Sequence, residues 1–296
     1  ELHVPFDRGD VIAEVHRDRL ADPAGALSYF GEALAANPAN PETLARMDEV
    51  ADQSRLWERL YSLLQDTLRG LKELSVRRRL NERAAVLAET RLGSPSGAAL
   101  HYAALLRDAP DDEAVLGKLD RLYTELHRAE DLAQVLRMRI SLARDASATE
   151  LRLRLAAVLT TELNDPDGAV EQLRVVLTVD PRQADAIRQL SSLSNHPVAG
   201  RHALEVLAVA FRESGDQEGL VWALERQIES ASEVVDTVAL HDEAASAAAA
   251  LKRWAVQIRH LGQALELVPS DEVLLSRLAS AARDHALEDE AVHHLR

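Results

Sequence analysis

The segment Asp22-Pro-Ala-Gly-Ala26 recurs twice, as Ser94-Pro-Ser-Gly-Ala98 and as Asp165-Pro-Asp-Gly-Ala169. The three copies begin 72 and 71 residues apart along the chain. A second proline stands 15 residues after each first one, at Pro38, Pro110 and Pro181. A cassette of constant length that returns at a constant period is the sequence signature of a repeat architecture.

Each cassette has the features of one α-helix. Asp or Ser at its start is a preferred N-cap residue. Proline is tolerated at the first helical position, because a backbone N–H at that position would have no partner within the helix. In the first copy, apolar residues follow at helical spacing as Ala26, Phe30, Ala33 and Leu34. The second proline, Pro38, then ends the helix.

Helical spacing of apolar residues continues between the cassettes, and no stretch alternates with a period of two for long enough to predict a strand. The pattern therefore predicts an all-α protein of about 17 helices, each of about 12–18 residues, joined by short turns. Helices joined in this way form antiparallel hairpins, and stacked hairpins form an α-solenoid.

Within this pattern, the residues resemble the tetratricopeptide repeat (TPR) family. That family places Ala, an aromatic residue, Ala and Pro at fixed intervals in its second helix, and Ala26, Phe30, Ala33 and Pro38 reproduce the set. The resemblance extends over nearly the whole chain. It implies a right-handed superhelix of helix hairpins of about 34 residues and a general function in docking proteins or peptides.

One interval departs from the period. Pro166 and Trp254, which takes the place of the first proline, are 88 residues apart, about 16 more than the corresponding distance elsewhere. An extra helix in this interval would reverse the alternation of first and second helices. We therefore predict one continuous domain made of solenoid parts at 1–194 and 217–296, with an irregular hairpin and register break at 195–216.

The composition excludes several classes of function. Lys and Arg number 34 against 49 Asp and Glu, and a formal charge of −15 argues against binding to nucleic acid. Cysteine is absent, so disulfides and thiolate metal sites are excluded. No apolar run is long enough for a membrane span and no leader peptide is visible, so we expect a bacterial cytoplasmic protein without membrane insertion. The absence of an initiator Met suggests a piece of a longer chain.

No catalytic motif is present. The sequence has no glycine-rich phosphate loop, no His-Glu-x-x-His and no Gly-x-Ser-x-Gly, so we expect no enzyme and no cofactor. Two groups of His and carboxylate residues, at 241–243 and 284–289, could each bind a metal from one helix face, but a solvated acidic face explains them more simply. A helical metal-dependent hydrolase remains as an alternative.

The family resemblance implies that the first helices of successive hairpins form the partner-binding, concave surface. The positions that would face a partner there are mostly acidic in the N-terminal part, which favours a basic protein or peptide as partner. A regulatory or sensor domain that binds a signalling peptide is an alternative, self-association through the solenoid ends is another, and the positions could also be merely solvated. The candidate partner-binding residues are Asp10, Glu14, Arg17, Glu49, Asp52, Arg79, Glu82 and Glu89.

Overall fold

The computed structural model describes residues 8–144 and 146–294, and these form seventeen α-helices without a strand. The chain divides into two compact units, Glu1–Ala143 and Arg144–Arg296. The helices of the N-terminal unit are α1 (Arg8–Asp18), α2 (Pro23–Ala36), α3 (Pro41–Ser54), α4 (Trp57–Leu68), α5 (Leu74–Thr90), α6 (Pro95–Asp108), α7 (Glu113–Glu125) and α8 (Ala129–Leu142). The predicted all-α architecture and the predicted number of helices are confirmed.

The C-terminal unit holds the other nine helices of the described residues. They are α9 (Ala146–Thr161), α10 (Pro166–Val179), α11 (Ala184–Leu193), α12 (Gly200–Ser214), α13 (Gln217–Ser230), α14 (Val234–Ala250), α15 (Trp254–Leu267), α16 (Glu272–His285) and α17 (Glu288–His294).

The repeated cassettes fold as their sequence predicts. Asp22, Ser94 and Asp165 are the N-caps of α2, α6 and α10, and each accepts a hydrogen bond from the backbone N–H of the glycine three residues later, at 2.9, 3.2 and 3.0 Å. A Cβ on Gly168 would lie 2.3 Å from Oδ2 of Asp165, with similar clashes at the two equivalent glycines. The glycine is therefore the residue that leaves room for the capping side chain.

A second repeated feature marks the turn inside each hairpin. A residue with a left-handed backbone conformation stands two positions before the second helix, where it reverses the chain. In the turn between α3 and α4, for example, the N–H of Leu56 donates a hydrogen bond to the carbonyl of Ala51 at 3.2 Å. The residues with this conformation are Ala21, Arg55, Gly93 and His127 in the N-terminal unit, and Asn164, Gly215, Lys252 and Ala286 in the C-terminal unit.

These turns define eight hairpins among the described residues: α1/α2, α3/α4, α5/α6, α7/α8, α9/α10, α12/α13, α14/α15 and α16/α17. Helix α11 belongs to none of them, because residues 194–199, which connect it to α12, contain no left-handed residue. Three helices therefore lie between α10 and α14. In contrast, only two helices lie between α2 and α5, and two between α6 and α9. The domain boundaries and register break proposed for 195–216 stay a prediction.

Small side chains form the contact inside the longest hairpins. Ala84, Ala85 and Ala88 on α5 are fully buried where α5 packs on α6. Helix α14 likewise buries Ala244, Ala245, Ala247 and Ala248 against its neighbours. Alanine lets the helix axes approach closely and has the highest helix propensity, so helices can pack closely in a protein with 3% aromatic residues.

Candidate partner-binding surfaces

The first helices of the N-terminal unit are connected by ion pairs. Arg46 on α3 contacts Glu14 on α1, and its other nitrogen lies 2.6 Å from Glu42 on its own helix. Arg83 on α5 binds Asp48 of α3 at 2.6 Å, and Arg91, the C-cap of α5, binds Asp52 of α3 at 3.0 Å. Most of the acidic residues therefore face an arginine of the next first helix.

The same arrangement continues from α5 to α7. Arg78 lies 2.9 Å from Glu82 on its own helix and 2.7 Å from Asp112, the N-cap of α7. Arg121 on α7 contacts Glu89 on α5 and lies 3.9 Å from Glu125. We call the exposed and half-buried side chains of α1, α3, α5 and α7 the first-helix surface.

Several pKa shifts follow from these contacts. The pKa of Asp112 is lowered, first by the backbone N–H of Val115, which its carboxylate caps, and then by the guanidinium of Arg78. The pKa of Arg78 is raised by its hydrogen bonds to Glu82 and Asp112. Asp112 and Arg78 are therefore both charged near neutral pH.

Seven of the eight candidate residues lie on the first-helix surface. Glu14, Asp52, Glu82 and Glu89 take part in the ion pairs above, and Arg17 binds its neighbour Asp18 at 2.6 Å. Glu49 is exposed. The guanidinium of Arg79 donates to the carbonyl of Pro38 at 2.8 Å, while its buried Nε–H has no acceptor in the described part of the chain.

The placement of Asp10 on the open surface is wrong. Its side chain is 4% exposed, and its carboxylate accepts a hydrogen bond from the hydroxyl of Thr43 at 3.0 Å. The hydroxyl in turn accepts from the side-chain amide of Asn40, the N-cap of α3. Asp10 therefore ties α1 to the start of α3 and is not available to a partner.

A charge surplus remains on the first-helix surface after pairing. Three guanidinium groups, those of Arg46, Arg78 and Arg121, are each shared by two carboxylates. Each group of three charges keeps one net negative charge and Glu49 adds another, while Arg79, which donates to the carbonyl of Pro38, offsets one of them. The surface is consequently acidic, but less so than a count of its Asp and Glu residues suggests.

A second surface feature is a cleft between the second helices α4 and α6, where the two helices do not pack extensively on each other. One end of the cleft is a cavity of about 300 Å³, lined by Leu68 and Arg69 of α4 and by Leu100, Ala104 and Arg107 of α6. A cavity of about 510 Å³ adjoins it toward α8. Gln65 and Leu100 line both cavities, so the two form one continuous cleft.

Buried polar side chains form the floor of this cleft. Nδ1 of His101 lies 2.9 Å from Oδ1 of Asn81, and its Nε2 lies 3.1 Å from the hydroxyl of Tyr61. Burial lowers the pKa of His101 and raises that of Tyr61, so both are neutral at pH 7. Sequence patterns did not predict this cleft, because it depends on the spacing between helices that are not consecutive.

The histidines of the C-terminal unit differ from the solvated face expected at 241–243. His241 is 6% exposed, and its Nδ1 lies 3.0 Å from Nδ1 of His260 on α15. Asp242 contacts Arg277, and Glu243 lies 2.7 Å from Arg212. Among the described residues, no group of three or more His, Cys, Asp or Glu side chains could hold a metal ion.

No described helix combines the length and the apolar character that crossing a membrane requires. No family model matches the sequence. No curated protein matches it either.

Solved structures with similar chains are repeat proteins. A tetratricopeptide repeat protein from Parabacteroides merdae is 16% identical, with a TM-score of 0.31, over 92% of this chain and 97% of its own. The C-terminal part of a TPR repeat-containing protein from Cytophaga hutchinsonii is 12% identical (TM-score 0.32; 90% and 97% covered). The TPR2AB domain of yeast Sti1, solved in a complex with pHSP90, is 14% identical (TM-score 0.28; 98% of each chain covered). By its own capped cassettes, turns and hairpins, the chain has a TPR-like, all-α solenoid fold.

Proposed function

We propose that the chain is a non-enzymatic scaffold that docks a protein or peptide partner on its first-helix surface, and that this partner is basic. The observation that supports the proposal is the sharing of Arg46, Arg78 and Arg121 by two carboxylates each. Because every such group keeps one negative charge, the surface can accept an additional cation without losing its interhelical ion pairs.

The proposed contact residues are Glu14, Arg17, Glu49, Asp52, Arg79, Glu82 and Glu89. Exposed ion pairs contribute only about 0–1 kcal/mol each, so each contact between a partner cation and one of these carboxylates is weak. Affinity would then come from many weak contacts along a preformed surface, and a field of one sign would speed the encounter. Both effects weaken as salt screens the charges.

Charge reversal on two faces of the same unit tests the proposal. The probe is a fluorescently labelled oligo-arginine peptide, and binding is measured by anisotropy. The test variant combines Glu14→Lys, Glu49→Lys and Glu82→Lys on the first-helix surface. The matched control combines Glu32→Lys, Glu58→Lys and Glu130→Lys, which changes the net charge equally at exposed positions of α2, α4 and α8.

We expect the test variant to bind the peptide at least about tenfold more weakly at low salt and the control to change binding about twofold or less. Raising the salt from about 0.05 M to about 0.5 M should remove most of the difference, because the Debye length falls below the distance between exposed charges. Equal losses in the test and control variants would mean that only net charge matters, and the proposed surface would then be rejected.

A further inference from the structure

We propose that the cleft between α4 and α6 is a second docking site, which binds an extended protein segment with alternating apolar and acidic side chains. It lies on the second helices, apart from the first-helix surface, and it would select a partner of the opposite charge. The proposal therefore goes beyond the function proposed above and does not depend on it.

The cleft exists because the layer of second helices is open at this point. Among the second helices, α2 packs on α4 and α15 on α17, whereas α4 and α6, like α6 and α8, make few contacts and leave the described cavities beside α6. Leu100 is 54% exposed at its centre, with Leu68 and Ala104 beside it. An apolar side chain of a partner can bury these atoms from water.

The charges at one end of the cleft favour an acidic segment. Arg69 and Arg107 line the smaller cavity, and no carboxylate is among its lining residues. Arg107 makes no ion pair within the part of the chain that the structure describes. Arg69 lies 3.1 Å from Asp66, but both side chains are more than half exposed, so this pair is weak and exchangeable. A guanidinium at this place binds a carboxylate with two parallel hydrogen bonds.

The other end of the cleft is electrically neutral. There Arg128 pairs with Asp131 at 2.7 Å, and the guanidinium also lies 4.9 Å from the ring centre of Tyr123. The positive charge is thus confined to the end formed by the C-termini of α4 and α6. A bound segment should therefore place its acidic side chains toward Arg69 and Arg107.

The dimensions of the cleft fit an extended chain. Its lining residues on α6 run from Ser94 to Arg107, which corresponds to about 20 Å along a helix axis. An extended segment of about six residues covers that length, and its side chains alternate between two faces. One face can contact Leu100 while the other meets the arginines. Gln65, in the wall shared by both cavities, can donate to and accept from the peptide backbone of the segment.

Two labelled hexapeptides provide the test, one with alternating leucine and aspartate and one with alternating leucine and lysine. Because the whole protein carries −15, long-range attraction favours the lysine peptide. A preference for the aspartate peptide can therefore come only from a local positive site. We expect saturable binding of the aspartate peptide in fluorescence anisotropy at moderate salt. In the variant that combines Glu14→Lys, Glu49→Lys and Glu82→Lys, which removes the acidic first-helix site, the aspartate peptide should bind more tightly than the lysine peptide.

Three cleft variants and two controls locate the binding. Arg107→Glu should weaken binding of the aspartate peptide by about tenfold or more, while Arg107→Lys should keep most of it. Leu100→Gln should weaken it by about fivefold, because an anchoring side chain loses its apolar contact. Arg137→Glu is the charge-matched control, an exposed arginine of α8 that does not line the cleft. Leu74→Gln is the apolar control, a leucine with 59% exposure at the start of α5.

Absence of saturable binding of the aspartate peptide would overturn the proposal, and so would equal effects of the cleft variants and their controls. Tighter binding of the lysine peptide to the variant that combines Glu14→Lys, Glu49→Lys and Glu82→Lys would overturn it as well. Circular dichroism of each variant checks that the fold is kept, and Leu100 and Arg107 are exposed enough for this to be expected. The triple reversal at Glu14, Glu49 and Glu82 should not weaken binding of the aspartate peptide. Failure at the cleft is thereby distinguished from failure at the first-helix surface.

Discussion

Replacing His241 with asparagine should make the C-terminal unit less sensitive to acid. His241 on α14 and His260 on α15 are 6% and 2% exposed, and the 3.0 Å hydrogen bond between their Nδ1 atoms requires one donor and one acceptor. The hairpin α5/α6 has asparagine at the equivalent position, where Oδ1 of Asn81 lies 2.9 Å from Nδ1 of His101. His241→Asn therefore introduces a pair that this fold already uses.

The size of the effect follows from the pKa of His241. Burial, the neighbouring His260 and the guanidinium of Arg259 lower this pKa from 6.5 to about 4, against a smaller opposing effect of Glu266. The unfolded chain therefore binds more protons than the folded chain between these two pH values, and stability falls as the pH falls. At about 1.4 kcal/mol per pH unit, the free energy of unfolding falls by about 2 kcal/mol between pH 7 and pH 4.5, after allowance for partial relaxation of the site.

Urea unfolding at pH 7 and pH 4.5 measures this difference. Trp254, which stacks on His285 with a ring distance of 3.7 Å, reports on the C-terminal unit when Trp57 and Trp222 are replaced by phenylalanine. Between pH 7 and pH 4.5, the urea midpoint of the protein that keeps His241 should fall by about 1 M more than that of the His241→Asn variant. His202→Asn, at a half-buried histidine of α12 that lies 3.4 Å from Glu171, is the control. If acid lowers the urea midpoint equally in the protein that keeps His241 and in the His241→Asn variant, the reasoning is refuted.

Two further predictions concern stability. Asp165→Ala should destabilise the C-terminal unit by about 1 kcal/mol, because α10 loses its N-cap. When Asp165 is already replaced by alanine, Gly168→Ala should stabilise the unit by about 0.5–1 kcal/mol. It should not stabilise the protein that keeps Asp165, because Oδ2 of Asp165 lies 2.3 Å from the new Cβ. A double-mutant cycle in urea measures this coupling. Arg139→Met should cost about 2 kcal/mol, because it removes the charged hydrogen bond that Arg139 donates to Asp120, which is 3% exposed, whereas Arg137→Met should stay within about 0.5 kcal/mol.

The features that could be predicted from the sequence are local. The N-caps Asp22, Ser94 and Asp165 act within three residues, and the helix ends before Pro38 and Pro110 follow from the covalent structure of proline. Local rules of this kind need no knowledge of which helix packs on which. For this reason the number of helices could be predicted, whereas the place of α11 outside the hairpins could not, because it depends on the backbone conformation of residues 194–199.

The features that could not be predicted depend on contacts about one repeat length apart. Asp10 is buried by Thr43, 33 residues later, and Arg46 meets Glu14, 32 residues earlier. A helical wheel places both acidic residues on polar positions and cannot tell them apart. Opposite charges separated by about one repeat are nevertheless a readable signal. A search for them would have shown that an arginine on the next first helix balances most of the acidic residues.

The central crossing of the long hairpins shows how one fold can carry different chemistry. At equivalent positions α5/α6 holds Asn81 and His101, α9/α10 holds Arg152 and Gln172 at 2.8 Å, and α14/α15 holds His241 and His260. Each is a polar pair joined by a hydrogen bond between the two helices, so the backbone geometry does not depend on which pair is present. Only the His–His pair loses its hydrogen bond when both members are protonated. Acid should therefore loosen α14/α15 before the two hairpins that share its geometry.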